Sequence, residues 1–380
     1  MKRNLLFKAV FQVLLAILLL CSILALFSCQ NDVPENKKDN GKLEYKVNSD
    51  GETCTITGLG TYSSKSLIVP ENIDGYTVTA IANCAFQGTD IVSFEGADTI
   101  TQIGQEAFKD CKQLREVTMP LGVTKISECC FENCENLYVV NLSPNLEIIE
   151  HVAFAYCYAL NSINLPDGIH EIGDYAFYLC INMPLINIPN TVKKIGGFAF
   201  GGCQSLEEII IPNSVISINT GAFCECLSLK ELYIPASVKQ IGECLIGYTN
   251  LTEIKVDPKS PDLSTIDGNL YRSDNRTLIN YAPGKTDTSF KIPESVTVIA
   301  GGAFMGSLNL TTIYIPNTVT NIGSVAFAAT PNMETLYYDG TINEWNSIVK
   351  AENWNEDTKS TFIIICTDGI IAMDGTVTYN

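Results

Sequence analysis

Residues 184–206 read PLINIPNTVKKIGGFAFGGCQSL, and residues 207–229 read EEIIIPNSVISINTGAFCECLSL. Both stretches follow one pattern, in which a marker aromatic residue recurs every 23 residues. Six consecutive units carry Phe at this marker position, namely Phe108, Phe131, Phe154, Phe177, Phe200 and Phe223. Ile246 continues the series, Phe304 and Phe327 resume it after an interruption, and Phe86 precedes it one residue out of step. A fixed period of this length is typical of a solenoid.

The order of residue types within one unit predicts a short strand followed by turns. Ile186 and Ile188 alternate with polar residues, which is the pattern of a strand that buries one face. Pro usually ends this strand, because it cannot donate a ladder hydrogen bond. One unit cannot bury its own apolar side, whereas units stacked about 4.8 Å apart can. The sequence therefore predicts stacked 23-residue coils with a parallel strand ladder.

The recurring pattern I-P-x-x-V-x-x-I-x-x-x-A-F-x-x-C-x-x-L resembles that of the BspA-like bacterial leucine-rich-repeat surface proteins over residues 66–335. The flanks resemble the same family in LEYKVNSDGETCTITGLG (43–60) and YYDGTINEWNSI (337–348). The resemblance implies a solenoid of the α/β leucine-rich-repeat type with an N-terminal β cap at 42–65 and a C-terminal α+β cap at 336–380. It also implies a protein or glycan ligand at the cell surface.

Two segments depart from the simple repeat. Between Ile246 and Phe304 the period fails, and DGNLYRSDNRTLINYAP (267–283) predicts a hairpin within an extended repeat at about 252–290. This insertion is either a structural elaboration or part of a binding surface, since insertions in solenoids tend to lie on one face. Near the C-terminus, TINE (341–344) is a capping-box sequence that predicts a short helix.

The first residues have the composition of an export signal. A basic segment, MKRNLLFK (1–8), precedes an apolar run at 9–27. The run leads into LFSC (26–29), which resembles the lipobox of bacterial lipoproteins, with Leu at −3 and a small residue at −1. The resemblance implies that residues 1–28 are a signal peptide and that Cys29 carries a lipid.

Residues 30–41, QNDVPENKKDNG, are polar and lack periodicity, so we expect 29–41 to form a flexible tether. The predicted product is a protein held in the cell envelope by its N-terminal lipid and exposed at the surface. One alternative is an uncleaved membrane anchor, because about nineteen apolar residues nearly span a bilayer. Ordinary secretion is the other alternative. All three place the C-terminal domain outside the cytoplasm.

Composition and motifs exclude several classes of function. The chain is 46% hydrophobic and 17% charged, which favours a folded core over disorder. Its net charge of −18 repels a phosphate backbone, so nucleic acid is not an expected partner. The only histidines, His151 and His170, are expected on the surface. No G-x-S-x-G, no phosphate loop and no paired carboxylates are evident. We therefore predict no cofactor and no enzymatic activity.

Fifteen cysteines raise the question of disulfides or metal sites. Six of them occupy one place, three residues after the marker aromatic, namely Cys111, Cys134, Cys157, Cys180, Cys203 and Cys226. We expect this cysteine column to be buried and free, because a free thiol packs as a small hydrophobe. Disulfides between adjacent coils remain the alternative. The clusters at 129–134 and 224–226 lack paired CxxC spacing and a nearby histidine, so we predict no metal site there.

The fourth place of each unit is expected to point outward from the strand ladder. It holds Thr118, Asn141, Asn164, Asn187, Ile210, Tyr233 and, beyond the insertion, Tyr314. The second place, also outward, holds Glu116, Val139, Ser162, Leu185, Glu208 and Glu231. On one interpretation these residues have no role in binding and are present because they favour the β conformation. On the other they form a binding surface in which exposed aromatics are hot spots.

The sequence favours an adhesin-like binding protein that uses this exposed strand face to recognise host matrix protein, glycan or another cell surface. A scaffold that docks another envelope protein is the second hypothesis. An enzyme acting on glycans or peptides is the third, and a deep acidic pocket between the insertion and the strand face would favour it.

Overall fold

The computed structural model of the chain describes residues 37–39, 43–356, 358, 362–372 and 374–380. The predicted signal peptide, Cys29 and most of the predicted tether lie outside these residues. Within the tether, the strand Lys37–Asp39 pairs antiparallel with Glu44–Val47. No helix of the described part is both long and apolar enough to cross a bilayer.

The protein is a β-solenoid of about 12 stacked turns with parallel strand ladders, which confirms the predicted fold. One side, the face side, is formed by strands that carry the predicted binding residues. These face strands are Ser66–Val69, Ser93–Gly96, Glu116–Thr118, Val139–Asn141, Leu185–Asn187, Glu208–Ile210, Tyr233–Ile234, Lys255–Val256, Ser289–Lys291, Thr312–Ile315, Thr335–Tyr338 and Ile363–Cys366. Neighbouring face strands pair in parallel, with gaps in pairing around Asn164, after Ile210 and across the insertion.

A second side, the arch side, consists of two-residue parallel strands. They are Gln102–Ile103, Lys125–Ile126, Ile148–Ile149, Glu171–Ile172, Lys194–Ile195, Ser217–Ile218, Gln240–Ile241, Val298–Ile299, Asn321–Ile322 and Val349–Lys350. Their register follows the repeat, so that Ile126 lies opposite Ile149 and Ile149 opposite Ile172. These isoleucines are fully buried, and the arch side therefore closes the core opposite the face side.

The third side, the turn side, contains the marker aromatics and is held by vertical backbone hydrogen bonds. The N–H groups of Val152, Phe154 and Tyr156 donate to carbonyls of the next coil at 2.8–2.9 Å. Val152 and Tyr156 have φ of 58° and 62°, and the same pair of positive angles recurs at Tyr175 and Leu179. Such angles are unfavourable for bulky residues. The regular inter-coil bonding offsets this cost.

The marker aromatics from Phe108 to Phe223 form a continuous stack inside the solenoid. Phe154 and Phe177 lie with ring centroids 5.5 Å apart and planes within 4°, and Phe177 and Phe200 repeat this geometry at 5.6 Å and 3°. All six predicted marker phenylalanines are fully buried. Offset aromatic pairs contribute about 0.5–1.5 kcal/mol beyond area burial, so the stack is a principal source of stability.

The cysteine column packs beside this stack, and its thiols are buried and free. Each thiol donates a hydrogen bond to the carbonyl of the marker residue one coil earlier, as Cys180 Sγ does to Phe154 O at 3.3 Å. Thr89 and Thr330, at the same place in coils without cysteine, donate to the carbonyl of the marker residue in their own coil. The position therefore takes a small buried thiol or hydroxyl, although the hydroxyls of Thr249 and Ser307, at the same place, make no hydrogen bond to the described residues.

The insertion forms the predicted hairpin, with strands Asn269–Arg272 and Thr277–Asn280, and adds a third antiparallel strand, Leu263–Ile266. The insertion is also built into the core. Tyr281 is 1% exposed and packs on Phe304 with centroids 5.6 Å apart, as a marker aromatic would. The insertion does not separate the coils on the turn side. There the segment around Ile246 stacks directly on the segment around Phe304, and Cys244 N donates to Gly301 O at 3.1 Å.

Both ends of the solenoid are covered by less regular structure. At the N-terminal end lie the strands Glu44–Val47, Thr53–Gly58, Asn72–Ile73 and Tyr76–Ile81. At the C-terminal end, the helix Ile342–Ser347 begins at Thr341 with the expected capping box, and Ile342 and Trp345 are buried. Gly369–Ala372 and Val377–Tyr379 extend the last face strand in antiparallel pairing.

Candidate functional site: the outer column of the face strands

The face strands alternate buried and exposed residues, and this alternation creates a continuous outer surface. Val117, Val140 and Ile186 point inward and are buried, so the residue after each of them points outward. Strand register aligns these outward residues from coil to coil. We call this row the outer column; it contains Ile68, Glu95, Thr118, Asn141, Asn164, Asn187, Ile210, Tyr233, Lys255, Lys291, Tyr314, Tyr337 and Ile365.

The middle of the outer column presents amide and apolar side chains. Asn141, Asn164 and Asn187 are all exposed, and Asn141 Nδ2 donates to Thr118 Oγ1 at 3.3 Å. Asn164 lies in none of the assigned strands. Ile210 is 61% exposed at the end of this segment. A side-chain amide both donates and accepts hydrogen bonds, so the segment offers polar contacts beside one large apolar side chain.

The coils before the insertion present a charged group beside an aromatic one. Tyr233 lies opposite Lys255 in the strand register. Partial burial, together with a hydrogen bond to Asp257, raises the pKa of the Tyr233 phenol. Lys255 Nζ lies 2.8 Å from Glu231 Oε1 and 3.3 Å from Glu253 Oε1. Lys255 is therefore paired with two carboxylates and Tyr233 with one.

The C-terminal end of the outer column is its most aromatic part. Tyr314 and Tyr337 stack with ring centroids 4.9 Å apart and planes 12° from parallel, and each is about two-fifths exposed. They line an open groove of about 370 Å³ together with the ion pair Lys291–Glu294 and Asp339. An exposed aromatic pair edged by charged groups is the composition of an interface hot spot.

The structure places all seven predicted face residues on this outer column, although Thr118 is only half-exposed. Six further members were not predicted: Ile68, Glu95, Lys255, Lys291, Tyr337 and Ile365. The 23-residue spacing could have identified Glu95, Lys291 and Tyr337, because they precede or follow predicted residues by one period. Tyr337 was instead assigned to the C-terminal cap.

The second outward position forms a more acidic row beside the outer column. Leu185 is 54% exposed, Val139 is half-buried, and Glu116, Ser162, Glu208 and Glu231 are exposed.

The features that could support catalysis are dispersed. His151 is half-buried with its ring edge-on to Tyr175, and His170 is exposed. Among the described residues, no cluster of three or more His, Cys, Asp or Glu could hold a metal ion. The groove beside the insertion is open and is lined by one carboxylate, Glu243, and by Arg272 and Lys350. This groove lies on the arch side and not between the insertion and the strand face, and its lining is not acidic.

A second aromatic surface was not anticipated from the sequence. On the turn side, Tyr175 and Phe198 stack with centroids 5.2 Å apart and are half-buried. They line an open groove of about 390 Å³ with Asp174 and Asn219. Their sequence position, two residues before the marker aromatic, varies from coil to coil, so periodicity gave no signal for it.

Comparison with known proteins identifies what this fold resembles. The family model described as BspA type leucine rich repeat region, with 6 copies, matches residues 79–184, 170–284 and 284–350. A leucine rich cell surface protein from Faecalibacterium prausnitzii aligns over 84% of this chain and 98% of its own, with 23% identity and a TM-score of 0.59. A leucine-rich repeat protein from Bacteroides ovatus aligns over 88% and 79%, with 21% identity and a TM-score of 0.59. No curated protein matches the chain.

Proposed function

Because this chain belongs to the BspA-type leucine-rich-repeat family, we propose that it is a binding protein of the cell surface that recognises a protein or glycan ligand through the outer column. The observation that carries the proposal is the alignment of Lys291, Tyr314, Tyr337 and Ile365 in one strand register, with Tyr314 and Tyr337 stacked. A rigid row of side chains loses little conformational entropy on binding. An extended partner that contacts several coils fits this shape best.

The outer column must also be exposed outside the cell for this function. We propose that a lipid on Cys29 anchors the chain in the envelope. We also propose that the part of the predicted tether before the strand Lys37–Asp39 holds the solenoid away from the membrane. In support of this reading, the similar F. prausnitzii protein is described as a cell surface protein. The open grooves and the dispersed acids favour binding over catalysis.

The test is a binding screen of the chain from residue 42 onward against matrix proteins and mucin-type glycans, followed by variants. The double variant Tyr314→Ala with Tyr337→Ala should weaken binding of an identified ligand tenfold or more. If the ligand contacts several coils, the double variant Asn187→Ala with Tyr233→Ala should weaken its binding by a similar factor. The exposed side chains lie outside the core, so thermal melting should hardly change. Leu227→Ala, on the exposed part of the turn side, is the matched control.

Two outcomes would contradict the proposal. If both double variants bind as the parent does while Asp274→Ala with Arg276→Ala abolishes binding, the tip of the insertion hairpin is the site. Point substitutions are required there, because Tyr271, Leu278 and Tyr281 of the insertion are core residues and a deletion would unfold the coil. If only envelope proteins of the same cell bind, the scaffold hypothesis replaces the adhesin-like one.

A further inference from the structure

Three sulfur atoms converge on the turn side, next to the point where the insertion interrupts the repeat. Cys224, Cys244 and Met305 are all buried and form a cluster of their own, separate from the main core. Cys244 Sγ donates to Met305 Sδ at 2.9 Å.

The sulfurs surround a space that a glycine leaves open. Cys224, Gly247 and Met305 each follow the marker position of their coil by one residue. A methyl group placed on Gly247 would lie 3.2 Å from Cys244 Sγ, 3.2 Å from Met305 Sδ and 3.3 Å from Cys224 Sγ. The three sulfurs therefore line one small buried space that no other side chain of the three coils fills.

The equivalent space two coils earlier, at Gly201, contains no such cluster. A methyl group on Gly201 would lie 3.1 Å from a ring carbon of Tyr178 and 3.2 Å from a ring carbon of Phe198. At Gly201 on the turn side, the space beside the glycine is therefore bordered by aromatic carbon and not by sulfur. The sulfur cluster arises because the insertion brings the coil of Met305 directly onto the coil of Cys244.

We propose that Cys224, Cys244 and Met305 form a binding site for one Cu(I) ion. Thiolate and thioether sulfurs are soft ligands that select Cu(I), whereas Zn²⁺ sites take four ligands from thiolate, imidazole and carboxylate. The cluster has two thiols, one thioether and no histidine, a set that matches the monovalent soft ion. Each thiol that coordinates the ion as thiolate releases its proton to solvent, and the ion stays Cu(I) throughout.

The test uses the full chain, purified in detergent without oxygen and with its thiols reduced. Cu(I) is titrated against a competing chromogenic chelator, and the number of ions bound with the highest affinity is measured. The parent chain should bind one such ion. Met305→Leu, which keeps both thiols and a similar volume, should weaken that binding at least tenfold. Gly247→Ala should do the same, because its methyl group occupies the space between the sulfurs.

Two matched controls separate the site from the other cysteines. Gly201→Ala places a methyl group in the equivalent gap two coils earlier. Cys203→Ser removes a thiol of the cysteine column, at a place where other coils have a hydroxyl. Both should bind Cu(I) as the parent does. Circular dichroism shows whether each variant is folded. The proposal is overturned if Met305→Leu and Gly247→Ala, both folded, retain the parent affinity, or if Cys203→Ser loses it.

Discussion

At the scale of the residue, the marker aromatics decide the stability of each coil. The side chain of Phe177 is fully buried and contacts a parallel ring on both sides, at 5.5 Å and 5.6 Å. Phe177→Ala should lower the free energy of unfolding by about 3–5 kcal/mol, the usual range for emptying a packed aromatic site. Urea unfolding of the parent and the variant measures it. A loss below about 1 kcal/mol would contradict the role given to the stack.

The cysteine column gives a second prediction at this scale. Burial raises the pKa of the Cys111 thiol to about 11, and the pKa values of the other column thiols are raised for the same reason. Near pH 8 these thiols therefore stay protonated, and only the thiolate reacts quickly. A thiol reagent should modify the column slowly in the folded protein and rapidly after denaturation, as followed by mass spectrometry of peptides.

Rapid modification of Cys180 in the folded protein, or intramolecular disulfides between column residues, would contradict this prediction. The hydrogen bonds of the column favour free thiols, because a disulfide would remove the donor that each thiol directs at a marker carbonyl.

Individual residues also mark the limit of what the sequence could predict. The period fixed the inward place of Phe177 and the outward place of Asn187, because alternation and spacing are visible in the letters. The positive φ angles of Val152 and Phe198 were not predictable. Left-handed conformations are normally read from Gly and Asn, whereas here hydrogen bonds to the next coil hold bulky residues in them. The Tyr175–Phe198 stack was missed because the residue type at this position varies from coil to coil.

At the scale of the element, the insertion was predicted only in part. Alternating residues on each side of a polar turn gave the hairpin at 267–283. The third strand and the burial of Tyr281 depend on contacts between residues far apart in sequence. A local sequence pattern carries no information about such contacts. The sulfur cluster was missed likewise, because Cys244 and Met305 are 61 residues apart. The structure supports the interpretation of the insertion as a structural elaboration.

The side chain of Asn280 joins the insertion to the neighbouring coils by two hydrogen bonds. This side chain is 1% exposed, accepts a hydrogen bond from Leu245 N at 3.2 Å and donates to Gly302 O at 3.4 Å. Asn280→Leu should lower the free energy of unfolding by about 1–3 kcal/mol, since it leaves a buried N–H without a partner. Ser273→Ala, in the exposed hairpin turn, should change it by less than about 0.5 kcal/mol. Equal effects of the two variants would contradict this role.

At the scale of the whole molecule, the repeat places one outward side chain per coil along a single row. An N-terminal membrane anchor would present this row to the cell's surroundings, and the tether residues would set its distance from the membrane. The aromatic end of the row, at Tyr314 and Tyr337, lies in the C-terminal coils and so farthest along the chain from Cys29. The proposed anchor and the proposed aromatic binding residues are therefore far apart in the sequence, and they can be tested separately.

The anchor prediction rests on residues 1–29 alone, which lie outside the described residues. Cys29 follows an apolar run with Leu at −3 and Ser at −1, whereas Cys21 lies inside the run. Cys29→Ser should leave the protein unlabelled by a fatty-acid probe and should release it from membranes or stall its processing, because several acyl chains give stable anchoring. Cys21→Ser is the matched control and should be labelled as the parent is. Continued acyl labelling of Cys29→Ser would remove the lipoprotein prediction and leave the uncleaved anchor or secretion, while the outer column could still be tested as a binding surface in the chain from residue 42 onward.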